Sequence, residues 1–150
     1  MDVDHARAIA LATHRGVWTL DDEPLLSHVE RVAAAVPGWA RAVAWLHEVL
    51  ERSDMPEEAL LREGVSSEQL RALRLLSRDE TSSDLVYLAH IDLIARAAGV
   101  SGRLARAVKL ADLEDRSSHP LERSNGWAPP YASALNMLHE DAPAARREVA

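Results

Sequence analysis

Apolar residues recur along most of this chain at intervals of three and four, the spacing of one helix face, while alternating runs of the strand kind are nearly missing. That pattern predicts a first helix over residues 4–14, stopped at Gly16, a glycine where helices commonly end. Asp21, Asp22 and Pro24 announce a second, in which Leu25, Val29, Val32 and Val36 share a face and Pro37-Gly38 ends the run. A third is expected over 39–51 and a short one over 56–63, closed by Gly64. Ser66 or Ser67 caps another that reaches Leu76. A longer helix follows Thr81–Asp84 through Ala98, with Gly99 as its end, and Ser101 opens the next, carrying Leu104, Ala107, Val108 and Ala111 on one face. Residues 117–130, rich in Ser, Pro, Asn and Gly, read as a loop before a last helix over 132–140 and a frayed tail. The expectation is an all-α fold, one compact domain over residues 1–150 built from about eight helices.

The third helix breaks the pattern. Its stretch Val43-Ala44-Trp45-Leu46-His47-Glu48-Val49-Leu50 is apolar on nearly every side, which belongs inside a core, yet it holds two polar residues in succession. Burying an imidazole and a carboxylate there is costly unless something satisfies them, and a metal ion satisfies both. Two further donors stand at the edges of apolar faces, His28 beside Val32 and Asp112 beside Val108 and Ala111. Asp115 falls near the middle of the latter face. Imidazoles and carboxylates from several helices, converging inside a bundle, are how helical proteins build metal sites, and this donor set suits Mn, Fe, Co, Ni or Zn rather than Ca. Simpler partners exist for each residue: Asp112 with Lys109 at i,i+3, and Glu48 with Arg31 or Arg41. His90 reads as structural, and His5, His119 and His139 as solvent-facing.

Composition narrows this picture without redirecting it. With no cysteine, a metal must be held by His and carboxylates, and a zinc finger is excluded. With no Phe, Leu, Val, Ala and four Trp are left to fill the interior. The net charge of −7 argues against non-specific nucleic-acid binding but not against a small anion at a metal, because a divalent ion inverts the local field. No apolar run approaches the ~20 residues of a membrane span, and the acidic start is unlike a secretory leader, so no membrane association and a cytoplasmic location are expected. The oligomeric state stays open. His47 to Glu51 comes near the H-E-x-x-H zinc pattern, but Glu51 stands where its second His belongs, and no phosphate-binding glycine loop occurs.

The order His28, His47-Glu48, Asp112 resembles the H…HD…D signature of the HD superfamily of metal-dependent phosphohydrolases, closest to the hydrolase domain of RelA/SpoT-type alarmone enzymes and their small stand-alone relatives. Residues 8–16, ending Thr13-His14-Arg15-Gly16, resemble that family's first helix and its A-H-x-G ending. Pro24-Leu25-Leu26-Ser27-His28-Val29-Glu30-Arg31-Val32-Ala33 resembles P-Y-I-x-H-P-x-x-V-A. Ala44-Trp45-Leu46-His47-Glu48-Val49-Leu50-Glu51 resembles A-x-L-H-D-V-x-E, and Val108-Lys109-Leu110-Ala111-Asp112 spells V-K-L-A-D.

The resemblance implies an HD-type domain with one divalent metal, manganese by family habit, on His28, His47, Glu48 and Asp112. It implies Glu51 as the residue that activates water, and hydrolysis of a phosphate ester or pyrophosphate on a nucleotide-like anion. Arg15, Arg52 and Arg116 are the candidate substrate contacts, Arg52 and Arg116 as new phosphate contacts where the family carries other residues. Departures cluster on that substrate side. Glu48 replaces the family Asp and reaches about 1.5 Å further. Arg52 replaces an acid and Arg116 an Asn, while residues 17–23 are acidic where the family is basic. The alternative is a catalytically degenerate HD fold that binds a ligand or partner. A third option, a purely structural helical module, requires that His28 and Asp112 never meet the doublet.

Overall fold

The computed structural model describes residues 1–19, 22–118 and 127–140. Among them the chain is an all-α bundle, with no strand and only an isolated bridge between Trp18 and Pro24. Helix α1 (Val3–Thr13) starts where Asp2 accepts a hydrogen bond from the His5 backbone N–H, and past its cap at His14 the chain turns through Gly16, whose φ of +74° is left-handed. The chain then doubles back: the Thr19 N–H donates to Glu23 O and the Leu25 N–H to Val17 O, so Pro24 delivers α2 (Leu25–Ala35) against the core. Leu25, His28, Val29, Val32 and Ala33 form its buried face.

The helix expected over residues 39–51 is two helices. A 3₁₀ turn (Gly38–Ala40) leads into α3 (Arg41–Leu46), which ends at His47, and α4 (Val49–Arg52) begins after Glu48. The break falls on the polar doublet: the His47 N–H reaches back three residues, to Ala44 O, instead of four. Every residue from Ala42 to Val49 is buried, the doublet included.

Next come α5 (Glu57–Arg62), α6 (Ser67–Leu76), α7 (Asp84–Arg96), α8 (Gly99–Ser118) and α9 (Tyr131–Glu140). Ser66 and Gln69 cap α6 reciprocally, each side chain taking the other's backbone N–H. Gly99 does not end α7, as its position suggested, but opens α8 with a φ of +71°. The loop expected from Ser117 starts later, since α8 runs through Ser118; residues 119–126 and the tail 141–150 lie outside the described residues, as does His119.

Helix α8 is the axis of the bundle, packing against α2, α3, α6, α7 and α9, while α1 and α2 flank α3. Of the four Trp only Trp45 joins the buried core; Trp18 and Trp39 are exposed, the latter under the Arg103 guanidinium 4.1 Å from its ring centre. Leu, Val, Ile and Ala therefore carry the interior.

Candidate metal centre

Three helices bring their polar positions to one point. His28 from the buried face of α2, His47 and Glu48 from the α3–α4 break, and Asp112 from α8 each offer a ligand atom, and these four atoms lie within 4.8 Å of one another. All four residues are buried. The convergence removes the purely structural reading, which required His28 and Asp112 to stay apart from the doublet.

Each imidazole is fixed through its Nδ1. His28 Nδ1 is 2.7 Å from Asp115 Oδ2, and His47 Nδ1 is 2.6 Å from Ala44 O. Each Nδ1 therefore carries a proton and donates it, so Nε2 is the atom that faces the cluster. Against its burial, Asp112 and Glu48 raise the pKa of His47, and an ion bound there would take the place of the Nε2 proton. Neither Nε2 finds a hydrogen-bond partner, although both are buried. Asp115 is itself gripped by Arg31 through Nε at 2.7 Å and Nη2 at 3.0 Å, and Arg31 also pairs with Glu23. Glu23 and Asp115 raise the pKa of Arg31, which stays charged.

The spacing suits an ion. His28 Nε2 lies 3.0 Å from Asp112 Oδ1 and 3.8 Å from Glu48 Oε1; His47 Nε2 lies 3.5 Å from Glu48 Oε1 and 3.8 Å from Asp112 Oδ1. Donors about 2.0–2.2 Å from one ion stand roughly 3.0–3.5 Å apart, so the set needs only a small contraction. The longer side chain of Glu48 does not miss the cluster. The residues fit, and this group can hold a metal ion.

Two cations also hydrogen-bond the acids. Lys109 Nζ donates to Asp112 Oδ2 at 2.9 Å, the i,i+3 pair expected from the sequence. Arg116 bridges both acids, with Nε 2.8 Å from Asp112 Oδ1 and Nη2 2.7 Å from Glu48 Oε1. Glu48 thus pairs with Arg116 rather than with Arg31 or Arg41; Arg41 instead donates to the Ala33 and Val36 carbonyls. Burial opposes ionisation of Asp112, but Lys109 and Arg116 outweigh it and hold the carboxyl well below its usual range. Burial is likewise overcome at Glu48, by His47 and Arg116.

A cavity of about 260 Å³ opens beside the cluster. His47, Glu48 and Asp112 line it together with Glu51, Arg52, Arg78, Lys109 and Arg116, and Tyr87, Trp127 and Tyr131 contribute aromatic surface. Glu51 faces solvent on one side, but the protein packed around the other desolvates it. That effect, reinforced by the charge of Glu48, raises its pKa above 4.5 despite a 2.7 Å hydrogen bond from the Arg78 backbone N–H. Arg52 Nε stands 3.6 Å from Glu48 Oε2. Arg15 is exposed and does not line this cavity.

Asp115 and Arg78 were not among the expected site residues. Asp115 is legible as a second acid one turn after Asp112, but nothing local says that His28 is its partner. His14 is fully buried with both ring nitrogens unpartnered, and burial lowers its pKa. Burial also lowers His90, to about 4, which keeps it neutral, and its Nε2 has no partner. No family model and no curated protein matches this chain.

Proposed function

We propose that the protein is an HD-type metal-dependent phosphohydrolase acting on a phosphate ester or pyrophosphate of a nucleotide or similar small anion. The observation that carries this reading is the pair of buried, unpartnered Nε2 atoms, each fixed by a donating Nδ1 and facing two carboxylate oxygens 3.0–3.8 Å away. Without an ion, and against its burial, His47 is drawn toward its protonated form by Asp112 and Glu48; a divalent ion at the same point satisfies both nitrogens and both carboxylates together.

His28, His47, Glu48 and Asp112 hold the ion, which we take to be manganese from the HD resemblance; Fe, Co, Ni and Zn suit the same donors. A divalent ion bound there lowers the pKa of a coordinated water and offsets charge on a phosphoryl group. Glu51, at the cavity wall and raised in pKa, takes the proton from the attacking water. Arg52 and Arg116 face the phosphate, the chemistry a guanidinium fork matches. Among the described residues no helix is long and apolar enough to cross a membrane, and the ligand expected is a small molecule.

One observation favours a second reading. Arg116 already joins Glu48 and Asp112, as a degenerate site locked by its own guanidinium would. Metal content and turnover separate the two. Protein reconstituted with Mn²⁺ is expected to bind about one ion per chain and to release phosphate or pyrophosphate from a nucleotide panel, with both properties lost in His47→Ala. Metal-loaded protein that hydrolyses nothing in the panel, or His47→Ala that keeps its activity, overturns the enzyme reading.

A further inference from the structure

Three cations reach the two acidic ligands, and they divide the four carboxylate oxygens unequally. Lys109 holds Asp112 Oδ2 at 2.9 Å, and Arg52 stands nearest Glu48 Oε2. The imidazole nitrogens make their closest approaches to the other two oxygens, Asp112 Oδ1 and Glu48 Oε1. Arg116 alone sits on both of these, with Nε at 2.8 Å and Nη2 at 2.7 Å. Its planar fork spans the oxygens through which the carboxylates face the imidazoles.

We propose that Arg116 is an exchangeable internal cation: it holds Glu48 and Asp112 together in the metal-free protein and must release both oxygens when a divalent ion takes them. The inference rests on the metal-site reading above and adds its regulation. Lys109 and Arg116 already balance the two carboxylates, and the more exposed Arg52 adds to the positive side. A divalent ion added with Lys109 and Arg116 both in place leaves a surplus of positive charge in a buried cluster, which low dielectric penalises.

Of the two cations, Arg116 is the one with somewhere to go. Both line the open cavity, but the Arg116 side chain is 24% exposed against 8% for Lys109 and stands nearer the C-terminal end of α8. A guanidinium displaced into that cavity meets the place where a phosphate would enter, and phosphate is a matched bidentate partner for it. Metal entry and anion binding are thereby coupled through one side chain. Where the resembled family carries an Asn, this chain carries the competitor of its own metal.

The test is a calorimetric titration of Mn²⁺ into the full-length wild type, Arg116→Gln and Arg116→Lys, with the thermal midpoint of each metal-free protein recorded alongside. Arg116→Gln is expected to bind Mn²⁺ about tenfold or more tighter, the factor that one charge-assisted hydrogen bond to a carboxylate represents. Its metal-free midpoint falls, because two buried carboxylates lose the cation between them, and Mn²⁺ raises it by more than in the wild type. Lysine keeps the charge but cannot span both oxygens, so Arg116→Lys binds with intermediate affinity, and it decides the matter alone if the Gln protein does not fold. Wild-type protein that binds Mn²⁺ as tightly as the variants overturns the exchange while the metal site stands. Absence of Mn²⁺ binding in the wild type and in both variants overturns the site and the exchange together.

Discussion

Glu48 and Glu51, one turn apart around the same cavity, are held in opposite directions. Glu48 is kept ionised by His47 and Arg116 against its burial, as a ligand must be. Glu51 is raised by partial desolvation and by the charge of Glu48, as a base working near neutrality should be. A base acts deprotonated, so a raised pKa moves the acidic limb of its pH profile upward. Activity on a nucleotide substrate is therefore expected to fall, as pH decreases, through a midpoint above 4.5. Glu51→Gln should lower kcat by about 10²–10⁴-fold, the range for a lost general base, while Mn²⁺ binding is unchanged. Kinetics and calorimetry on the same preparation check both halves, and a Glu51→Gln protein with ordinary kcat removes the assigned role. The roles of individual residues were only partly readable in the chain. The polarity of the doublet was plain, but the partner of each donor was not, because Arg116, Asp115 and Arg78 reach the site from distant segments.

At the scale of elements, the features that place the site are interruptions of helices. The α3–α4 break falls on His47 and Glu48, where the His47 N–H reaches only to Ala44 O, and both neighbours offer an atom to the cluster. Periodicity alone predicted one helix there, since an apolar run with two polar residues reads the same whether or not the backbone turns. Gly99 was misread for a related reason: a left-handed glycine stops one helix or starts the next with equal ease. Gly102 is different, since a Cβ there would run into the Ala97 carbonyl where α8 passes the end of α7. In an exposed helix Gly→Ala stabilises by about 1 kcal/mol. At Gly102 the clash with backbone wins, and Gly102→Ala is expected to destabilise by roughly 1–3 kcal/mol, the usual cost of overpacking. A chemical-denaturation midpoint that rises in this variant contradicts the close packing of α7 and α8.

For the molecule as a whole, the site lies where α2, α3, α4 and α8 meet, so an ion there ties together segments 84 residues apart in sequence, from His28 to Asp112. An ion that binds only the native state stabilises it by mass action, about 2.7 kcal/mol at a hundredfold excess over its Kd. For a chain of this size that corresponds to roughly 5–10 °C in the thermal midpoint. Mn²⁺ is expected to raise the midpoint by this amount and a chelator to reverse it; a midpoint indifferent to both argues that the cluster holds no ion.

The linear pattern of apolar residues was sufficient for the all-α class, for most helix starts and stops, and for marking the His47-Glu48 doublet, while the family resemblance singled out Asp112 over Asp115. Those are local properties: caps, glycines and helix faces depend on residues a few positions apart. Which carboxylate oxygen meets which imidazole, that Asp115 fixes His28, that Arg15 stays away from the cavity and that Arg116 bridges Glu48 and Asp112 depend on where whole helices cross. Crossing positions follow from the packing of the entire core around α8, and no short window of sequence encodes them.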